Sequence, residues 1–133
     1  MKICITSSGR SLDSLMSPRF GRCPFLLVVD TERQKADAIE NKNASAARGA
    51  GVATAQTVSD QGCKIVITGN IGPHAFSVLN AAGIKVFITE ALAKTCEETL
   101  RDYNNGKLSE ASAPTGRGFG RGRGRGWRRG RKN

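Results

Sequence analysis

The sequence predicts an α/β domain: a mixed five-stranded sheet, parallel in its second half, with helices packed on it and an arginine–glycine tail behind it. Two observations predict the domain. The runs Phe25–Asp30, Lys64–Thr68 and Ile84–Ile88 are almost continuously apolar, as strands covered on both faces are. The last two are reached through segments of helical spacing, the connection that parallel neighbours require. A third observation sets the tail apart. Pro114–Asn133 holds seven arginines, one lysine and no acid, whereas residues 1–113 hold thirteen basic and eleven acidic side chains. The formal charge of +10 therefore describes a nearly neutral domain with a cationic extension.

Lys2–Ser7 is the first strand. Ser8 to Pro24 is polar and broken by Gly9, Pro18, Gly21 and Pro24, and is long enough for a functional loop. Phe25–Asp30 is the second strand, Thr31–Gln34 a turn, and Lys35–Glu40 a weaker strand that returns as its hairpin partner. Asn41–Ala50 is small and polar. Gly51–Gln61 places Val52, Ala55 and Val58 near helical spacing and stops at Gly62, where a C′ glycine belongs. After Lys64–Thr68, the turn Gly69–Gly72 breaks the strand and Pro73 opens a helix to about Ala82, with Ala75, Phe76 and Leu79 as apolar positions. Gly83 ends it, Ile84–Ile88 is the fifth strand, and Leu92–Asn104 is the last helix. Residues 1–108 form the domain; Leu108–Thr115 reads as a linker within 109–133. From Gly116 the Arg-Gly repeat, with Phe119 and Trp127 interleaved, cannot bury a core and is expected to be disordered alone.

Several function classes are excluded. Met1-Lys2 leads into an apolar run of only Ile3–Ile5, too short for a secretory signal, and no stretch approaches the ~20 apolar residues of a membrane span. A soluble cytoplasmic protein with no membrane partner is expected. Cys4, Cys23, Cys63 and Cys96 form no C-x-x-C pair, so neither a zinc knuckle nor a self-contained iron–sulfur motif is present, and reduced thiols are expected. No P-loop occurs, and Gly49–Gly51 is not a dinucleotide fingerprint. The acids do not cluster as metal-dependent phosphoryl chemistry demands, and one histidine, His74, supports no catalytic triad. The chain reads as a binding protein, not an enzyme.

Ligands of open α/β sheets sit beyond the carboxyl ends of the strands. Three segments converge there: the loop Ser7–Arg22, the stretch Asn41–Gly51, and the turn Gly69–His74. Two of them open helices through glycine-rich backbone, Arg48–Gly51 and Gly69–Pro73, and helix N-termini favour anions. The same segments carry Ser8, Arg10, Arg19, Arg22 and Arg48 against a single acid, Asp13, so the pocket suits a polyanion. The competing reading is that each glycine run serves only its turn. Cys23 also has two readings: a thiolate favoured by nearby arginines and able to bind a soft metal, or a half-buried small residue before Pro24. His74 lines the site or caps its helix.

At these residues a resemblance emerges. Met1-Lys-Ile-x-Ile-Thr-Ser7, Pro18-Arg-Phe-Gly-Arg22 with Pro24, Glu40-Asn41, Gly49-Ala-Gly51 with Ala55-Gln56, Val66-Ile-Thr-Gly-Asn70, Gly72-Pro73-x-Ala75-Phe76 and Ala82-Gly-Ile-Lys-Val86 follow in the order of one family. The chain resembles the dinitrogenase iron–molybdenum cofactor biosynthesis family over about residues 1 to 108. That family includes NifX-type carriers, the C-terminal part of NifB and the stand-alone orange-protein group. The resemblance implies a ribonuclease-H-like fold without nuclease activity and a cationic pocket for an iron–sulfur, iron–molybdenum or molybdenum–copper sulfide cluster. It implies protein donors and acceptors of that cluster. A monomer or weak homo-oligomer is expected. Its site residues fall on Arg19, Phe20, Gly21, Arg22, Asn41, Gly49, Gly51, Asn70, Gly72 and Pro73. The chain departs from the pattern at Cys23, usually a small residue, at His74, usually asparagine, and at Arg48, commonly glycine; it also lacks the usual glycine-rich run after Phe87. Cys23 and His74 thereby become candidate direct metal ligands.

The tail offers Arg117, Arg121, Arg123, Arg125, Arg128, Arg129 and Arg131 to phosphates or other anions, and Phe119 and Trp127 as stacking faces. It has three readings: a nucleic-acid-binding arm, a neutraliser of anionic clusters, or an aid to solubility and acidic partners.

Overall fold

The computed structural model describes residues 1–46, 48–90 and 93–115. Among the described residues nine elements run in the order β1 (Lys2–Ser7), β2 (Phe25–Asp30), β3 (Lys35–Glu40), α1 (Ala50–Asp60), β4 (Ile65–Thr68), α2 (Pro73–Ala81), β5 (Lys85–Ile88), α3 (Cys96–Asn104) and β6 (Ser109–Glu110). They form one mixed sheet of order β3-β2-β1-β4-β5-β6. The hairpin pairs are antiparallel, and β1·β4 and β4·β5 are parallel. Among the described residues no helix is long and apolar enough to cross a membrane.

Alternation along the strands divides the core in two. Cys4, Leu26, Val28, Val66 and Val86 point to one face, where they meet Ala55 and Val58 of α1 and Ala75 and Leu79 of α2. Ile3, Ile5, Leu27, Val29, Ile65 and Ile67 point to the other, where Cys96, Leu100 and Tyr103 of α3 cover them. Burial on both faces is why β1, β2 and β4 read as apolar runs. β3 has one neighbour and exposes Lys35, Asp37 and Glu40, as a protected edge does.

Register gathers the connections. Cys4 pairs with Val66 and Ile5 with Ile67, so β1 and β4 finish together. Ser7 pairs with Phe25 and Phe25 with Glu40, so β2 starts and β3 finishes at that same end. The segments 8–24, 41–49 and 69–72 must therefore all emerge at one end of the sheet.

Three expectations are corrected. The sheet has six strands, not five: Leu108–Thr115 is no free linker, because Ser109 and Glu110 pair with Ile88 and Phe87, and Ala111 N–H donates to the Val86 carbonyl at 2.8 Å. The last helix begins at Cys96, capped by Thr95, and not at Leu92, a residue outside those described. Thr95 and Glu98 make a reciprocal capping box, at 3.1 Å and 2.9 Å, which fixes the start. The sequence carried that signal as Thr95-x-x-Glu98. The arginine–glycine tail, 116–133, also lies outside the described residues.

Candidate functional site

The floor of the site is a buried polar contact between β1 and β4. Thr6 Oγ1 donates to the Ser17 carbonyl at 2.6 Å and lies 3.0 Å from Thr68 Oγ1, while Ser17 N–H returns a bond to the Thr6 carbonyl at 2.8 Å. All three residues are buried. None was expected from sequence, where Thr6 and Thr68 look like ordinary β-branched strand ends. The anchor sets Pro18–Arg22 across the strand ends. There Asn70 N–H donates to the Pro18 carbonyl at 2.8 Å and Phe20 N–H to the Asn70 carbonyl at 3.1 Å, so Arg19 and Asn70 pair like residues of parallel strands.

Close backbone contact joins this loop to the helices. A Cβ on Gly21 would fall 2.8 Å from Gly51 Cα, and Gly21 holds φ +95°, so only glycine fits. A Cβ on Gly51 would lie 3.2 Å from Ala75 Cβ. Gly51 is the second residue of α1 and Ala75 the third of α2, so the first turns of both helices stand side by side beneath the Pro18–Arg22 loop.

Asn41 locks the assembly from below. Its buried carboxamide donates to the Cys23 carbonyl at 2.9 Å and to the Gly21 carbonyl at 3.3 Å, and accepts from Thr54 Oγ1 and Asn43 N–H, each at 3.2 Å. It thus ties the first loop, the β3–α1 connection and α1 together. Phe20 is buried in the helix-side core. Arg22 turns away from Cys23: its Nη1 donates to the carbonyls of Ala44 at 3.0 Å and Ala46 at 2.6 Å, bracing the β3–α1 connection.

Electrically, both first turns are open. Gly49 is the N-cap of α1 and Gly72 that of α2, which Pro73 opens; neither helix has a side-chain cap or an acid in its first turn. Gly72 is not forced by its backbone, since its φ of −79° suits any residue, and no atom lies within 4 Å of where its Cβ would be. Glycine there simply leaves the α2 N-terminus unobstructed. First-turn N–H groups have no intrahelical partner, so the paired ends present a cluster of donors and two positive dipole ends. α3 is the contrast: Thr95 and Glu98 satisfy its N-terminus, and Glu97 and Glu98 lie in its first turn.

The structure thus unites Arg19, Gly21, Asn41, Gly49, Gly51, Asn70, Gly72 and Pro73 around one locus. Arg48 and His74 are exposed beside it, before α1 and at the second position of α2. Ser8 and Arg10 belong elsewhere. Ser8 Oγ donates to the Leu15 carbonyl, Arg10 lies 4.7 Å above the Phe25 ring, and the carbonyls of Leu12 and Ser14 accept from Glu97 and Cys96 N–H at the start of α3, on the opposite sheet face. No hydrogen bond ties either to the first turns of α1 or α2.

The thiolate reading of Cys23 is corrected. The side chain is 0% exposed in the helix-side core, and burial pushes its thiol up to about 11, outweighing hydrogen bonds from Gly21 and Asn41 that act the other way. Neighbours in sequence diverge in space here: Arg22 faces out and Cys23 in. All four cysteines are buried and free. Among the described residues no group of three or more His, Cys, Asp or Glu side chains could hold a metal ion. The tail residues Arg117, Arg121, Arg123, Arg125, Trp127, Arg128, Arg129 and Arg131 lie outside the described residues.

Comparison with known proteins adds to this geometry. Residues 1–106 match the family model described as dinitrogenase iron–molybdenum cofactor. The apo orange protein of Desulfovibrio gigas is 34% identical and superposes with a TM-score of 0.81, covering 86% of this chain and 96% of its own. A putative NifB protein from Thermotoga is 33% identical with a TM-score of 0.76 and the same coverage. An uncharacterised protein of Methanocaldococcus jannaschii is 32% identical over 98 residues, 71% of this chain and 81% of that protein.

Proposed function

Since the chain belongs to the dinitrogenase iron–molybdenum cofactor family, we propose that it is a non-catalytic carrier or store for an anionic metal–sulfur cluster, held in its domain over residues 1–108. The cluster is cargo, received from one protein and passed to another in the cytoplasm. Iron–sulfur, iron–molybdenum and molybdenum–copper sulfides all fit the chemistry.

The observation that carries this reading is the pair of adjacent, uncapped, acid-free helix N-termini at Gly49 and Gly72, beneath a loop bearing Arg19. Backbone N–H groups and a guanidinium are what the outer sulfur and oxygen atoms of an anionic cluster can accept from. Such a grip is non-covalent and reversible, as transfer requires. Buried, protonated Cys23 is no part of it, and exposed His74 can add at most one hydrogen bond or one ligand. The ribonuclease-H-like description implied by resemblance suits the order β3-β2-β1-β4-β5, with β6 as an added edge.

The test is elemental analysis with absorption spectra on full-length chain, incubated without oxygen with tetrathiomolybdate and copper, or with iron and sulfide. Stoichiometric metal, lost or sharply reduced in Arg19→Ala, is the expected result. Metal retention indifferent to Arg19 and to the first turns of α1 and α2 would refute the reading.

A further inference from the structure

The turn before α2 is gripped from two sides. On one side Asn70 N–H donates to the Pro18 carbonyl at 2.8 Å, and the Asn70 carbonyl accepts from Phe20 N–H at 3.1 Å. On the other, Ile71 N–H donates to Thr115 Oγ1 at 3.0 Å, and the Ile71 carbonyl accepts from Thr115 N–H at 3.0 Å. Asn70 and Ile71 thus stand like the middle strand of a short three-stranded ladder. The first grip belongs to the Pro18–Arg22 loop. The second comes from outside residues 1–106, the part that matches the family. A strap leads to it. Ser109 and Glu110 pair with β5, Ala111 N–H donates to the Val86 carbonyl at 2.8 Å, and Ala111 packs on the helix-side core. The chain then crosses from the edge of the sheet to the start of α2.

The grip matters because of what it leaves open. Three successive carbonyls are taken: Asn70 by Phe20, Ile71 by Thr115, and Gly72 by Phe76 N–H at 3.0 Å. The N–H groups of Asn70 and Ile71 are taken too. Among the described residues, those of Gly72, His74 and Ala75 make no hydrogen bond, and Pro73 has none to offer. The free donors therefore begin one residue after the Thr115 contact, and the backbone at Ile71 sets their direction. Ile71 is 1% exposed and sunk in the helix-side core. A buried N–H without an acceptor is costly, so loss of the Thr115 hydroxyl would draw the turn towards water and tilt the donors that follow it.

We propose that Thr115 is a positioning residue of the cargo site: its hydroxyl and N–H hold the Asn70–Gly72 turn so that the free N–H groups of Gly72, His74 and Ala75 converge on the anion. The proposal rests on the carrier reading above. Thr115 acts through the turn, not by touching the cargo.

Thr115→Val keeps the branched shape of the side chain and removes the acceptor; Thr115→Ser keeps the oxygen. Tetrathiomolybdate is titrated without oxygen into the full-length parent and both variants, with amide hydrogen exchange at Ile71 and melting temperatures measured alongside. In Thr115→Val the Ile71 N–H should exchange about tenfold faster or more. Affinity should fall about threefold to tenfold, the equivalent of one net hydrogen bond. Thr115→Ser should restore both. A valine variant that binds like the parent, whatever its melting temperature, overturns the proposal and leaves the carrier reading standing. Weaker binding with unchanged exchange at Ile71 overturns the positioning role, since the hydroxyl would then act on the cargo directly. Weaker binding that serine does not restore overturns the part given to the oxygen. A parent that binds no thiomolybdate defeats the carrier reading itself, and the proposal with it.

Discussion

The carboxamide of Asn41 joins Gly21, Cys23, Asn43 and Thr54 in one buried knot. Asn41→Ala leaves two carbonyls, a hydroxyl and the Asn43 N–H without their partner, and a buried unsatisfied group costs about 1–3 kcal/mol. Chemical denaturation should show a loss of about 2–4 kcal/mol, with weaker anion binding because the first loop is released. Cys23 gives a pH signature. Its folded thiol titrates near 11 and its unfolded thiol near about 8.5, so the folded state binds more protons between those values. Its stabilising contribution is complete below about pH 8 and fades as pH rises towards 11. Between pH 7.5 and 10 the parent should lose roughly 1–2 kcal/mol more than Cys23→Ala does, measured by urea unfolding at each pH. Equal losses would mean that the thiol is not shielded as described.

At the scale of elements, Gly21 is where loop and helix touch. Gly21→Ala forces a side chain into φ +95° and against Gly51 Cα, which should cost about 1–3 kcal/mol and push the Pro18–Arg22 loop off α1. A lowered melting temperature together with weaker cargo binding is expected; a change in neither would contradict the packing. Most elements were legible because their signals are local: apolar runs for β1, β2, β4 and β5, Pro73 at the start of α2, Gly62 and Gly83 behind two helices. β6 was not legible, since Ser109 and Glu110 have no strand pattern and pair only because β5 offers a free edge. The start of α3 is obscured in the sequence because the apolar Leu92 extends the helical pattern past the cap at Thr95. Arg10 and Cys23 depart from the sequence expectation for a common reason. Sequence places them in a cationic loop but does not tell which way each side chain turns, and Phe25 and Asn41 decide that through contacts formed only in the fold.

For the whole molecule, the parallel register of β1 and β4 brings three loops to one end, and close packing at Gly51 and Ala75 brings two helix N-termini together there. The chain then comes back through Thr115 to the same place. In the proposed carrier, these two open N-termini hold the anionic cargo. Gly72→Asp puts a negative charge at one of them. The position accepts a side chain without strain or clash, and aspartate is a good N-cap, so stability should hold or rise by up to about 1 kcal/mol. The new carboxylate would also face the cargo, and a like charge in such a place costs several kcal/mol. The measurement is the tetrathiomolybdate affinity of this variant beside its melting temperature. An intact or raised melting temperature with affinity lowered at least about tenfold is the predicted result; an affinity equal to the parent's, in a folded variant, would contradict the claim.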